Sequence, residues 1–409
     1  MKIIFVNRYY APDHSATSQM LTDLASALAA SGADVHVVTS RQRYDEAGAA
    51  LPPGEVLDGV TVHRVRASVF GRGNLFGRSL DYVSFYAAAS FALFRLARAG
   101  DIVVAKTDPP LISIPVGWVA RLRRARQVNW LQDLFPEVAT ALGVQLAQGT
   151  FGRLLARARD RSLCGAARNV VLSDAMRSRL VARNIAAESI VVIPNWADGA
   201  VLRPIPRDAN PLRSEWGLAG KFVIGYSGNM GRAHEFQTIL DAALALREER
   251  DIVFLFIGGG AQQGGLAQEV ARLQVNALFM PYQPREKLAQ SLGVADAHFV
   301  SLRPELEGLV VPSKFYGILA VGRPVVFIGD ANGELGREVA AAACGMAVRE
   351  GDATGLVAAI RGMRDDSALR ERMGQNARRV FDESYDKPIA IAKWRGLPEF
   401  SDRADAAST

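Results

Sequence analysis

Cysteine is nearly absent from this chain of 409 residues, whose two thiols, Cys164 and Cys344, lie far apart without metal-ligand spacing. That argues against a disulfide framework and predicts two buried, reduced thiols. Histidine is also scarce, and the dispersed His36, His63, His234 and His298 make no ligand set, His36 and His63 reading as structural residues in strands. No Asp-x-Asp occurs, so the chain lacks a compact carboxylate pair for a divalent ion on a diphosphate, and no metal site is expected. A Walker loop and a nucleophile elbow are missing too. The apolar run at 111–120 is broken by Pro115 and Gly117 and falls short of the ~20 residues that span a bilayer. Residues 1–7 read as a strand rather than a signal peptide, and a cytoplasmic location is expected.

What is present is ample core material, 49% hydrophobic and 22% charged residues, with a net charge of +6. The length suits two domains, and the charge suits anionic ligands or acidic lipid. Short apolar runs alternate with amphipathic helical patterns. Strands are expected at 2–6, 35–39, 101–106, 127–131, 169–172 and 189–193, and helices at 18–30, 79–99 and 151–166. After a proline-rich stretch containing Pro204, Pro206 and Pro211 the alternation restarts, with strands at 222–226, 253–257, 277–281, 297–301 and 324–328. Helices are expected there at 235–246, 265–273, 285–291, 314–320, 335–342 and 353–363. The pattern predicts an α/β protein of two doubly wound parallel sheets: domains at 1–197 and 198–382, a helix at 383–400 packing back on the first domain, and a flexible tail at 401–409.

In open α/β sheets ligands collect beyond the carboxyl ends of the strands. Five loops there are candidates. In Tyr226-Ser-Gly-Asn-Met-Gly-Arg232, Gly228 and Gly231 permit close backbone approach and Arg232 offers a forked donor near the next helix, although a tight turn explains the loop equally well. Gly258-Gly259-Gly260 fits the dinucleotide fingerprint poorly and reads as a loop beside a nucleotide. Pro281-Tyr282-Gln283-Pro284 presents an aromatic face for a base, or is an ordinary turn. In the fourth, Glu305 and Glu307 can orient sugar hydroxyls, the backbone of Gly308, Leu309 and Val310 can meet phosphate, and Ser313 and Lys314 form a helix start suited to anions. The alternative there is a surface acidic pair and a capped helix. The fifth, Trp130-Leu-Gln-Asp-Leu-Phe-Pro-Glu137, offers Gln132 or Asp133 at a strand end, with a local turn role competing for Asp133. Near the N-terminus, His14, Ser15 and Thr17 can bind an acceptor or cap the first helix. A basic, partly apolar face with Arg72, Phe76, Arg78, Arg121, Arg123, Arg124 and Arg126 suits a membrane-embedded acceptor or is a solvated surface.

At Tyr9-Tyr10-Ala-Pro, Trp130–Glu137, Ile193-Pro-Asn-Trp196, Ser227-Gly-Asn-Met-Gly231 and Val311-Pro-Ser-Lys-Phe-Tyr-Gly-Ile-Leu-Ala320 the chain resembles the family 4 retaining glycosyltransferases, especially a bacterial subset in capsule, O-antigen and exopolysaccharide assembly that includes colanic-acid and fucosaminyl transferases. The resemblance implies a GT-B fold of two Rossmann-like domains facing a cleft, a nucleotide-sugar donor, UDP-sugar favoured, in the second domain and an acceptor in the first. It places Gly228, Asn229, Gly231 and Lys314 around the diphosphate, Tyr282 and Gln283 near the base, and Glu307, Gly308, Leu309 and Val310 near the sugar, while Arg232, Ser313 and Glu305 join the donor candidates from the reading of the loops themselves. Asp133 and Glu307 are the catalytic candidates; His14, Ser15, Thr17 and Gln132 are the acceptor candidates. Transfer is expected to be a metal-independent front-face displacement with no cofactor, onto a glycan or polyprenyl-diphosphate-linked acceptor, with peripheral contact at the inner membrane and no nucleic acid. Alternatives are a non-catalytic nucleotide-sugar-binding scaffold and a nucleotide-sugar epimerase.

Two departures stand out. The family's acidic pair has seven intervening residues, which puts Leu309 and Gly317 at its two places, so either Glu305 or Glu307 supplies the ribose carboxylate or ribose recognition differs. The family's Arg and Lys phosphate pair is replaced by Asn229 and by His234-Glu235, leaving more of the charge to Arg232 and Lys314.

Overall fold

A computed structural model describes residues 1–13, 15–43, 51–70 and 75–400. The chain divides into one unit of Met1–Pro194, Gly308–Val311 and the residues from Ala390, and another of Asn195–Glu307 and Pro312–Ile389. His14, Arg72 and the tail at 401–409 lie outside the described residues, as does the side chain of Phe76.

The first unit holds β1 (Lys2–Val6), β2 (Asp34–Ser40), β3 (Gly54–Leu57), β4 (Val60–Val65), β5 (Ile102–Lys106), β6 (Arg126–Trp130), β7 (Arg168–Val171) and β8 (Ile190–Val192). Its helices are α1 (Ala16–Ala30), α2 (Leu75–Leu96), α3 (Ser113–Arg123), α4 (Glu137–Ala141), α5 (Gly149–Cys164) and α6 (Asp174–Val181). The strand order is β3-β4-β2-β1-β5-β6-β7-β8, parallel except for the β3–β4 hairpin. Every residue of β5 is buried, so its Ile-Val-Val-Ala run packs on both faces. Ile4, Val6, Val38, Phe85, Leu93, Val103 and Val116 form a core, each large side chain contributing roughly 1.5–3 kcal/mol by leaving water.

The interrupted apolar run at 111–120, for which no element was expected, contributes most of α3. Pro115 falls in the first turn, where a missing N–H costs little. Gly117 is a packing requirement: a Cβ there would lie 2.5 Å from Gln127 Oε1. Cys164, expected buried, is exposed at the end of α5, whereas Cys344 is buried.

The second unit holds β9 (Phe222–Asn229), β10 (Ile252–Gly259), β11 (Ala277–Met280), β12 (Ala297–Ser301), β13 (Val325–Gly329) and β14 (Gly345–Arg349). Its helices are α7 (Pro211–Glu215), α8 (Gln237–Ala245), α9 (Gln263–Leu273), α10 (Leu288–Gly293), α11 (Lys314–Ala320), α12 (Glu334–Ala341), α13 (Ala353–Asp365) and α14 (Ser367–Val380). The parallel order β11-β10-β9-β12-β13-β14 reverses direction between β9 and β12, the point where a crevice opens in such sheets. Phe222, Ile224, Tyr226, Phe254, Phe256 and Phe299 fill one face under α8 and α13. Gly225 interrupts this apolar strand because a Cβ there would meet Ala295 Cβ at 2.9 Å and the His298 ring at 3.0 Å.

A last helix, α15 (Lys387–Arg395), carries Trp394, which is fully buried in the first unit with its ring 4.8 Å from that of Trp130. The segment after it is held by Arg168 on Glu399 (2.9 Å) and by Arg126 on the Glu399 carbonyl (3.2 Å). Arg126, expected on the basic face, is thus engaged at the chain's return.

Candidate functional site

In the second unit the residues at the β9/β12 reversal converge on one amine. Lys314, the first residue of α11, donates from Nζ to Tyr226 Oη at 2.7 Å and lies 3.1 Å from His234 Nε2. The amine also stands 4.2 Å from the Tyr226 ring centroid, a cation–π distance. Tyr226 Oη donates to the Asn229 carbonyl at 2.8 Å, and His234 Nδ1 lies 2.6 Å from the Ser301 carbonyl at the end of β12. A carbonyl can only accept, so Nδ1 carries the proton and Nε2 is left to accept from Lys314. Burial pushes the Lys314 ammonium down to about 7. Burial, then the Lys314 charge, push His234 down to about 3, against the Ser301 hydrogen bond. The imidazole is neutral.

The glycines of this region serve close approach. Gly228 and Gly258 are paired across β9 and β10 with φ of 125° at each, and a Cβ on Gly258 would lie 3.2 Å from Tyr282 Cε1. A Cβ on Gly259 would sit 3.3 Å from Tyr282 Cε2, so one face of the Tyr282 ring covers this backbone while the residue stays 61% exposed. Gln283 turns its amide onto the Pro281 carbonyl at 2.9 Å. Asn229 is exposed and lies against Gly231, whose Cβ would meet its Nδ2 at 2.9 Å.

Several expectations need correction. Ser313 occupies the N-cap position of α11, but its exposed side chain makes no cap hydrogen bond, and the helix has only 7 residues. The capped helix start expected here is not formed, and the charged group at this position is the Lys314 amine. Ser15 likewise begins α1 without a side-chain cap bond, its N–H donating to Asp13 Oδ1 at 2.8 Å; Thr17 lies half-buried inside α1. Arg232 is exposed and distant in sequence from the next helix, because β9 runs on to Asn229 and α8 starts only at Gln237. Glu305 is exposed on the turn Pro304–Leu306. Glu307 instead reaches the start of α12, where Oε1 accepts from Glu334 N at 2.6 Å, and burial raises its carboxyl. Gly317 does not leave an open place for an acid: a Cβ there would lie 3.3 Å from Leu292 Cδ1 and 4.0 Å from Leu202 Cδ1. Gly308, Leu309 and Val310, expected with the donor domain, group with the first unit, where the Leu309 carbonyl accepts from Leu134 N at 2.9 Å.

In the first unit Asp133 follows β6 and forms an isolated bridge with Val310. Its buried Oδ1 has no hydrogen-bond partner among the described residues, and burial, reinforced by Asp108, pushes the carboxyl up to about 7. Asp133, Thr107, Ser113 and Arg159 border a cavity of ≈ 20 Å³, room for about one water. Gln132 N donates to Thr107 Oγ1 at 3.1 Å. Beside it the sequence reading missed Lys106, the polar end of the apolar β5, whose fully buried amine lies 3.1 Å from the Trp130 ring centroid and is pushed far down by burial. It missed His234 as well; the sequence clue was its place at the family's lysine position.

Among the described residues no cluster of three or more His, Cys, Asp or Glu is arranged to hold a metal ion, and no helix is long and apolar enough to cross a membrane.

Residues 15–196 match the glycosyl transferase 4-like domain, and residues 209–380 match the glycosyl transferases group 1 family. The putative colanic acid biosynthesis glycosyl transferase WcaI of Escherichia coli K12 is 29% identical over 350 residues, covering 82% of this chain and 85% of that protein. The probable glycosyltransferase WbjE of Pseudomonas aeruginosa is 28% identical over 340 residues, covering 79% and 80%. Among solved structures, Anabaena HepE in complex with UDP superposes with a TM-score of 0.71 at 16% identity, covering 96% of this chain and 98% of that one. Sucrose-phosphate synthase of Thermosynechococcus elongatus superposes with a TM-score of 0.77 at 18% identity over 100% of both chains.

Proposed function

The chain belongs to the GT-B glycosyltransferases of family 4, and from that premise we propose that it moves a sugar with retention from a UDP-sugar to a glycan or polyprenyl-diphosphate-linked acceptor in cell-surface polysaccharide synthesis. The observation that carries the reading is the Lys314 amine, set at the sheet reversal beside Gly228 and held by Tyr226 and His234. On this reading the amine supplies positive charge to a donor diphosphate and to the leaving group as the sugar departs. Tyr282 offers its open face to the base, and UDP is the ligand bound by the structurally similar HepE.

Front-face displacement needs no enzyme nucleophile. The leaving phosphate oxygen takes the acceptor proton while Lys314 stabilises its negative charge, and this cation takes the place of a divalent ion. Asp133, whose carboxyl is held near neutrality, orients the acceptor hydroxyl. Glu307, seated on Glu334 N, supports the fold of the sugar-facing loop rather than attacking the sugar.

A lipid-linked acceptor fits the exposed face of the first unit. On α3, Trp118 and Leu122 stand one turn apart at 72% and 73% exposure, and neighbouring α2 and α5 add exposed Phe91 and Phe151. Exposed Arg95, Arg121, Arg124 and Arg153 accompany them, and this mixture of aromatic anchors and cations matches an anionic lipid surface.

The direct experiment offers purified protein a panel of UDP- and GDP-sugars with polyprenyl-diphosphate-linked acceptors. Nucleotide release with acceptor extension is expected, and the anomeric configuration of the product reports retention. Neither release nor extension with any pair sinks the proposal. Donor binding also raises the melting temperature, since ligand at about 100 times Kd adds about 2.7 kcal/mol.

A further inference from the structure

Lys314 is held in an unusual way for a lysine offered to an anion. Its recorded partners are two neutral acceptors, His234 Nε2 and Tyr226 Oη, and each is fixed from behind by a backbone carbonyl, Ser301 and Asn229 respectively. Among the described residues, the titratable groups hydrogen-bonded to the amine are Tyr226 from β9 and His234 from the following loop; Ser301, at the end of β12, meets the far side of the His234 ring through its carbonyl. On its own helix, Tyr316 is turned to Tyr385, with rings 5.1 Å apart. The nearby acids are engaged elsewhere: Glu235 accepts from Thr238 N at 2.8 Å and Glu307 from Glu334 N at 2.6 Å. An ammonium ion presents three N–H groups, so two held by these acceptors leave one for a ligand.

We propose that His234 is the positioning residue for Lys314, locked by Ser301 as a neutral acceptor so that the amine is aimed without a counter-ion and takes up a proton when a diphosphate binds. The inference rests on the donor reading above and adds a regulation to it. A carboxylate in the place of His234 would keep the lysine charged and compete with the phosphate; a second cation would repel it. The imidazole does neither. The buried amine, held at about 7, is then charged fully only by its ligand. A donor's esterified diphosphate does not itself titrate near neutrality, so the lysine carries the linkage.

The test has two arms. In free protein, nitrogen-15 NMR of the histidines is expected to show His234 as the neutral Nδ1–H tautomer from pH 5.5 to 9, with Nε2 shifting at a midpoint near 7 that Lys314→Met abolishes. An Nε2–H tautomer or a charged ring overturns the positioning role without reference to any donor. In the second arm, calorimetry follows whichever of UDP-glucose, UDP-N-acetylglucosamine or GDP-mannose binds. With the amine near 7 when free and well above when bound, affinity falls about tenfold from pH 6 to pH 8. Buffers of different ionisation enthalpy should report uptake of about 0.8 proton at pH 7.5. Binding without proton uptake overturns the coupling while leaving the donor reading intact; no binding by any of the three overturns both. His234→Ala should raise donor KM about tenfold and erase the pH dependence. His234→Gln, whose amide can donate to Ser301 and accept from Lys314, should keep both within about threefold. If Gln fails like Ala while its melting temperature is unchanged, the acceptor argument is wrong.

Discussion

Restoring an acid at Gly317 tests whether the missing family carboxylate is a functional gap or a consequence of packing. The built Cβ lies 3.3 Å from Leu292 Cδ1 and 4.0 Å from Leu202 Cδ1, and these leucines are 5% and 6% exposed. Gly317→Ala is expected to be nearly neutral: the helix gains about 1 kcal/mol from replacing glycine, against a few tenths of an ångström of crowding. Gly317→Glu carries the same crowding and turns a polar head toward an apolar wall. Leaving such a group without a partner costs about 1–3 kcal/mol, and overpacking adds a similar amount. Because Gly317 is itself only half-buried, part of the carboxylate reaches water, and about 2–4 kcal/mol remains. At about 2–4 °C per kcal/mol, the second unit should melt roughly 5–15 °C lower. Calorimetry resolves that difference, with donor KM measured in parallel. An unchanged melting temperature together with a lower donor KM for Gly317→Glu would refute the argument, because it would mean that position 317 faces the ligand.

The donor kcat/KM should follow a narrow bell centred near pH 7, rising as Asp133 ionises and falling as Lys314 loses its proton; the Asp133→Asn variant should lack the acidic limb. Asp133→Asn should also raise the melting temperature at pH 8 but not at pH 4. The folded carboxyl is raised to about 7, so its stabilising protonated state is complete below the unfolded value and is lost as pH rises through 7. Tyr282→Ala should raise donor KM about tenfold with kcat within threefold, as expected for loss of a stacking face. Trp118→Ser with Leu122→Ser should cut co-sedimentation with vesicles containing anionic phosphatidylglycerol about tenfold; unchanged co-sedimentation removes α3 from the lipid-binding face.

The fold was legible where periodicity was strong. The fully buried parallel strands β5 and β13 announce themselves as apolar runs, and α11 begins and ends at the expected residues. The β3–β4 hairpin was not legible, since Gly54–Leu57 has two exposed and two half-buried residues and so little apolar contrast. Helix α3 was hidden because a first-turn proline and a packing glycine look like breakers in one dimension. At the site, Lys314 and the Gly228 loop were visible as residue types in order. His234 was not, since its role depends on a carbonyl 67 residues away on another strand. Glu307 was read as reactive because its chemistry allows it; its engagement with Glu334 N comes from the fold of a loop 27 residues downstream. Lys106 escaped notice because an amine over an indole ring has no one-dimensional signature.

Trp394, fully buried against Trp130, makes the first unit dependent on α15. During synthesis the second unit, from Asn195 to Ile389, emerges in between. At typical translation rates of about 5–20 residues per second, the first unit waits roughly 10–40 s for that tryptophan, its Trp130 surface uncovered meanwhile. The interval favours chaperone attendance on the nascent first unit. It also makes premature termination before Trp394 a defect felt at β6, where Trp130 ends the strand that leads to Asp133.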